Sequence, residues 1–188
     1  MESFGKTHRV WMPYACILAV IVLRIGWGHP YNFVPVFAAL LFFAAERPAR
    51  EFALALLPLI CADIYLTVHQ YGYALTLGAA VTWIWYLIAM LLGSGLLRGV
   101  PGWRRVAGTS LAASASYFLA SNFTVWAEWN MYPRTAAGLT ACYVNALPFF
   151  RNGLGSELVC SVLLFGLNAA WLSQSEDTAK TAALNAAR

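Results

Sequence analysis

Four polar side chains lie within long apolar stretches of the sequence, where such a group needs a partner, water or a function. They are Arg24, Asp63, Asn122 and Glu157. A charged side chain at the centre of a bilayer costs about 2.5 to 3.5 kcal/mol on insertion scales. A guanidinium, two carboxylates and an amide can also hydrogen-bond the polar edge of a small molecule. These residues are therefore the first candidates for a binding site.

The four groups are predicted to lie at one depth. At about 1.5 Å per helical residue, Arg24 lies about 20 Å along the first apolar stretch, Asp63 about 16 Å along the third and Asn122 about 24 Å along the fifth. If successive stretches cross a membrane in alternate directions, all three fall in its outer half. Glu157, near the start of the descending sixth stretch, reaches the same level. The pattern predicts one polar layer below the outer face.

The connections on the outer side add aromatic and polar residues to this layer, including Trp27, His29 and Tyr31 in the first connection. A pocket with apolar and aromatic walls and a few convergent polar groups is typical of a small-molecule site. We expect a solute to stack on Trp126, Tyr132 or Tyr143. The full predicted binding set is Asn32, Asp63, His69, Asn122, Trp126, Tyr132, Arg134, Tyr143, Asn152 and Glu157.

A purely structural interpretation of the same residues stays open. Arg24 can pair with Asp63 or Glu157 simply to hold helices together. Loop tryptophans, tyrosines and histidines, such as His69, can lie at the membrane interface as anchors. The concentration of these groups at one depth favours a binding site more than any single residue does.

Composition indicates which elements position these groups. Hydrophobic residues make up 61% of the 188 residues and charged residues 11%, whereas soluble domains carry about 25% charged residues. About 20 apolar helical residues cross a bilayer. We predict an all-α, polytopic membrane protein with six transmembrane helices. They run from about Trp11 to Ile25 or Gly28, about Asn32 to Ala45, Phe52 to about Val68, Tyr73 to Leu97, Val106 to about Trp126 and about Gly153 to Leu172.

A short helix is predicted between spans five and six, from Thr135 as a possible cap to Leu147, with Pro148 as its stop. It is too short to cross, so we expect an interfacial or re-entrant helix. Residues 1–10 and 173–188 are expected to be cytoplasmic, and residues 11–172 a single domain. Nine Lys and Arg residues fall on one side of this arrangement and three on the other, which places both termini in the cytoplasm.

Catalytic, metal-binding and nucleic-acid-binding patterns are missing from the sequence. The cysteines Cys16, Cys61, Cys142 and Cys160 have no metal-ligand spacing, and the basic residues separate apolar blocks instead of following one face. Gly93-Ser94-Gly95 has no histidine at a matching depth. We expect no enzyme activity, no cofactor, no metal and no nucleic acid partner. Ala15 and Ala19 offer a small-residue face on span one for a partner helix.

Several segments resemble the signature of a bacterial membrane-protein family of unknown function over about residues 30 to 170, most specifically from Tyr132 to Asn152. The family pattern has Gly-Asp where this chain has Ser156-Glu157, so the carboxylate is kept on a longer side chain. The segments that carry the resemblance are Asn32 to Val36, Ala62-Asp63, Asn122 to Trp126, Met131 to Thr135 with Gly138-Leu139, and Cys142-Tyr143 with Ala146 to Asn152.

That family in turn resembles, in size and architecture, the S components of energy-coupling-factor transporters, which are six-helix subunits that capture vitamins or metal ions. The resemblance implies a solute site near the outer face of a bacterial inner-membrane protein. It also implies docking of Ala15 and Ala19 on a transmembrane coupling subunit energised by ATPases. The alternative is a structural or accessory subunit of a membrane complex with no solute of its own.

Overall fold

The structure is a computed structural model that describes residues 2–26 and 35–186. The described residues form an all-α fold, as predicted. A 3-10 turn, Ala49–Glu51, precedes α3, and a π-helical turn, Leu66–Gln70, extends it. The helices are α1 Glu2–Gly26, α2 Val36–Glu46, α3 Phe52–Tyr65, α4 Leu77–Leu96, α5 Trp103–Glu128 and α6 Ala136–Ala186.

Successive helices run in alternate directions. Contacts between α1 and α3 join Arg24 to Asp63 near one end and Tyr14 to Glu51 near the other, so these two helices are parallel. Helix α4 is antiparallel to α5, because Leu77 meets Glu128 and Trp85 meets Ser116. The α3–α4 and α5–α6 connections therefore share one end of the bundle, called here the connection end.

Helix α2 is the buried centre of the bundle. Every residue from Val36 to Ala45 is buried, as expected for a helix that is apolar on all sides. A Cβ at Gly93 of α4 would lie 2.4 Å from the carbonyl oxygen of Leu41, so only glycine allows the two backbones to pack this closely. With 11 residues, α2 is about 16 Å long, roughly half the hydrocarbon thickness.

The prediction that a helix ends at Pro148 is wrong, because α6 continues through this residue. The structure has one continuous helix of 51 residues, with Pro148 in its interior, instead of a separate short helix and a sixth span. Proline in a helix removes one hydrogen bond and clashes with the preceding turn, but membrane helices tolerate it where neighbouring groups compensate. The predicted cap is confirmed, since the Thr135 hydroxyl accepts a hydrogen bond from the Gly138 amide at 3.1 Å.

Among the described residues, three helical stretches are long and apolar enough to cross a membrane: Ala49–Gln70, Leu77–Leu96 and Ala136–Ser175. Val10–Gly26 and Val36–Glu46 are apolar but shorter. Large apolar side chains such as Leu54, Leu57 and Leu91 are more than half exposed on the outside of the bundle. These features indicate membrane association.

Candidate functional site

A cavity of about 540 Å³ lies near the connection end of the bundle, and we call it the main cavity. Its volume falls within the range of small-molecule sites, about 300 to 1,000 Å³. All six helices line it. Their contributions include Arg24 of α1, Phe37 of α2, Asp63 of α3, Trp83 and Tyr86 of α4, Tyr117 of α5 and Glu157 of α6.

An ion pair forms one wall of the main cavity. Arg24 Nη2 lies 2.6 Å from Asp63 Oδ1, and Arg24 Nη1 donates a hydrogen bond of 2.8 Å to the Tyr86 hydroxyl. The side chains of Arg24 and Asp63 are 19% and 10% exposed, so the pair is largely desolvated. The structure thus joins α1, α3 and α4 through one guanidinium.

The same wall has unused hydrogen-bonding capacity. Asp63 Oδ2, Arg24 Nε and Trp83 Nε1 are buried without a hydrogen bond to any residue that the structure describes. Buried polar atoms are paired in most proteins, with protein groups, water or a ligand. All three residues line the main cavity, so a molecule within it can reach this polar wall.

Glu157 caps the start of α2 from α6. Its Oε1 accepts a hydrogen bond from the Phe37 amide at 3.1 Å, and its Oε2 accepts one from the Ala38 amide at 2.6 Å. A carboxylate is favourable here because the first amides of a helix lack partners within it and carry partial positive charge. Glu157 is 4% exposed. It is therefore both a helix cap and part of the cavity wall.

Aromatic side chains form the rim of the main cavity. The Tyr71 and Tyr73 amides donate to the carbonyls of Leu66 and Thr67, both at 2.9 Å, and Gly72 between them has a φ of +68° that suits glycine. This turn directs the chain back over the cavity. Tyr73 meets Trp129 edge to face with 6.0 Å between ring centroids.

A second carboxylate cap lies beside this rim. Glu128 Oε1 accepts a hydrogen bond of 2.8 Å from the Leu77 amide, and Oε2 accepts one of 3.2 Å from Gly78. Gly78 itself lines the main cavity. The first turns of α2 and α4 are thus both neutralised by glutamates from other helices.

A smaller cavity of about 300 Å³ lies between α5 and α6. It shares Phe37, Tyr117 and Glu157 with the main cavity, and it places Asn122 in its wall. Asn122 Nδ2 donates to the Phe118 carbonyl of its own helix at 2.8 Å. The structure therefore gathers Asp63 and Glu157 at the main cavity and places Asn122 in the adjoining one.

The other predicted site residues that the structure describes lie outside both cavities. Trp126 Nε1 donates to the Pro133 carbonyl at 2.9 Å, and the Arg134 guanidinium lies 5.6 Å from the Trp126 ring centroid. Tyr132 accepts a bond from Asn145, and Tyr143 donates to the Leu119 carbonyl at 2.7 Å.

These contacts form the α5–α6 connection, so the signature segment has a structural role here. A Cβ at Gly138 would lie 2.1 Å from the Pro133 oxygen. His69 is exposed and contacts the Tyr65 ring, while Asn152 is half-buried on α6. Asn32, together with Trp27, His29 and Tyr31, lies outside the described residues.

Sequence reasoning missed the contribution of α4. Ala79, Thr82, Trp83 and Tyr86 recur at the spacing of one helix face and line the main cavity. The Thr82 hydroxyl lies 3.0 Å from that of Tyr117. Aromatic and hydroxyl residues at this spacing within one span are the signal in the sequence that could have identified this face.

The residues of the predicted docking face, Ala15 and Ala19, are exposed on α1. In the described part of the chain, no group of three or more His, Cys, Asp or Glu residues could hold a metal ion.

Comparison with known proteins identifies a family but no activity. A family of unknown function, DUF6580, matches residues 4–180 of the chain. No curated protein and no solved structure matches it significantly.

Proposed function

Because this chain belongs to DUF6580, a family of unknown function, we propose its activity from the geometry: it captures a small solute in the main cavity as a subunit of a membrane importer. The observation that carries the proposal is a cavity of about 540 Å³ with an ion pair and unpartnered polar atoms in its wall. Aromatic walls with a few polar groups are typical of such sites.

The proposal includes six crossings of a bacterial inner membrane, with both termini in the cytoplasm. Helix α5 is more polar than the three apolar stretches, yet its 26 residues are long enough to cross. Two of its serines contact other helices, since Ser110 donates to Ser161 at 2.8 Å and Trp85 donates to Ser116 at 3.0 Å. Small polar residues at helix contacts are common within membranes. The buried α2 would form the remaining crossing.

The main cavity opens at the connection end, and the distribution of the basic residues supports an outer position for this end. Solute would enter past Tyr71, Tyr73 and Trp129 and meet the Arg24–Asp63 pair. Uptake would then require a partner that supplies energy, docked on the α1 face that contains Ala15 and Ala19.

The test is mass spectrometry of small molecules released from the purified protein, followed by rebinding of the identified solute. We expect one enriched solute whose rebinding raises the melting temperature. Tyr71→Ala and Trp129→Ala should weaken rebinding, whereas Trp171→Ala, on the part of α6 beyond the cavity, should not. If no solute is retained and none stabilises the protein, the proposal fails.

A structural subunit is the second candidate, favoured by the links that the polar groups make between helices. Arg24 joins three helices, and Glu157 joins α6 to α2. This function predicts a stable protein complex in pulldowns and no stabilising solute.

A further inference from the structure

The main cavity is lined by aromatic rings and by more carboxylates than cationic side chains. Seven of the eighteen described residues that line it are aromatic, among them Tyr71, Tyr73, Trp83 and Trp129. Ring faces carry partial negative charge and attract cations placed within about 6 Å of the ring centroid. This wall therefore attracts a positively charged group more strongly than a surface of equal size without aromatic rings would.

The strongest anion-attracting groups among the described residues around the cavity already have partners within the protein. The guanidinium of Arg24 is held by Asp63 and Tyr86. Helix N-termini are ready anion sites, but Glu157 occupies the start of α2 and Glu128 the start of α4. The donors left without a partner, Arg24 Nε and Trp83 Nε1, belong to a guanidinium already paired with Asp63 and to an uncharged indole, so an anionic solute would meet no unpaired positive charge there.

The charged side chains that line the cavity sum to a negative value. They are the carboxylates of Asp63 and Glu157 and the guanidinium of Arg24. The start of α2 adds about half a positive charge, which leaves about half a negative charge uncompensated. Asp63 is 8% exposed, and its Oδ2, unlike the Oδ1 that pairs with Arg24, has no hydrogen bond from the described residues.

We propose that the solute captured in the main cavity is an organic cation, with an ammonium or cationic ring nitrogen held between the aromatic rim and Asp63. This inference rests on the proposed function, because it names the class of solute for the same cavity. A solute with a flat or compact apolar body would fill the aromatic part of the cavity, while its positive charge offsets the surplus of carboxylates.

The test compares three ring compounds that differ chiefly in charge: 1-methylnicotinamide, nicotinamide and nicotinate. Equilibrium dialysis against the full chain purified in detergent measures the three dissociation constants. We expect the cation to bind about tenfold more tightly than the neutral amide, consistent with a cation–π contribution in a desolvated site. The anion should bind most weakly.

Binding by variants then shows which residues cause the preference for the cation over the neutral amide. Asp63→Asn should reduce the preference for the cation over the neutral amide. Its matched control is Glu51→Gln, which removes a carboxylate paired with Arg47 at the opposite end of the bundle and should leave the preference unchanged.

Trp129 is 40% exposed at the rim, so Trp129→Leu and Trp129→Phe should both fold. We expect the leucine variant to lose the preference and the phenylalanine variant to keep it.

Three outcomes would overturn the inference. If nicotinamide or nicotinate binds at least as tightly as 1-methylnicotinamide, the cavity binds solutes of another charge, and the proposed capture function stands. If none of the three binds while an uncharged or anionic solute is released from the purified protein, the inference fails and the proposed capture function still stands. If none binds and no solute is released, the proposed function fails with it.

Discussion

The Asp63 carboxylate belongs both to an ion pair with Arg24 and to the wall of the main cavity. Removing one partner of a desolvated pair leaves the other charge buried and costs about 3 to 5 kcal/mol, whereas replacing both with apolar residues is often neutral. We predict that Arg24→Met lowers the melting temperature sharply and that Arg24→Met with Asp63→Leu recovers most of it. A double variant as unstable as the single one would contradict this account.

The double variant also separates the two candidate functions. If the pair only holds helices together, the stable double variant should behave like the unmodified protein. If the pair serves the cavity, the double variant should be stable and still fail to bind solute.

Glu157 is a cap within the protein interior, and its loss should be more costly than that of an exposed cap. In Glu157→Gln the side-chain amide offers one acceptor oxygen where two backbone amides need one each. An unsatisfied buried donor costs about 1 to 3 kcal/mol, so the melting temperature should fall. Glu128→Gln makes the same change at the exposed start of α4 and should have a smaller effect. Equal losses would show that burial does not set the cost.

At the scale of helices, the close contact between α2 and α4 depends on one missing side chain. In Gly93→Ala the added methyl group would lie 2.4 Å from the Leu41 oxygen and 2.9 Å from its Cα. Backbone atoms cannot rotate away, so the two helices must separate, at a cost of about 1 to 3 kcal/mol. Thermal unfolding in detergent measures this loss.

The control lies two residues along the same helix. A Cβ at Gly95 has no atom within 4 Å, and alanine favours helix over glycine by about 1 kcal/mol. Gly95→Ala should therefore be neutral or stabilising. Equal destabilisation by both variants would contradict the packing argument.

The helices could be predicted from the sequence where apolar length and polar breaks agree. The predicted span from Phe52 to Val68 matches α3 with its π-helical turn, and the one from Val106 to Trp126 lies within α5. Pro148 misled the prediction because a local rule for helix stops was applied to a helix held by long-range contacts. That α2 is buried by its neighbours on every side depends on tertiary packing, which periodicity does not reveal.

For the whole molecule, hydropathy indicated where polar groups lie but not which of them meet. Arg24, Asp63 and Glu157 were predicted at one depth, and the structure places all three around one cavity. Trp126, Tyr132 and Tyr143 were chosen because they lie in an outer connection. They instead hold that connection together, because the direction of a side chain depends on the path of the backbone.

The six-span topology can be tested with single cysteines in a cysteine-free variant. Arg50, with 84% of its side chain exposed, follows α2, and Asn130 is exposed in the α5–α6 connection at the opposite end of the bundle. We predict that an impermeant maleimide labels Asn130→Cys on intact cells and labels Arg50→Cys only after permeabilisation. Labelling of both from the same side would contradict the topology.

The central claim, that the main cavity holds a solute, is tested most directly by filling it. Ala79 lines the cavity, whereas Ala53 of α3 is exposed on the outside of the bundle. The measurement is the amount of solute retained by Ala79→Phe and by Ala53→Phe, relative to the unmodified protein, at matched thermal stability. The account predicts that Ala79→Phe loses the solute and Ala53→Phe retains it; full retention by a stably folded Ala79→Phe would contradict it.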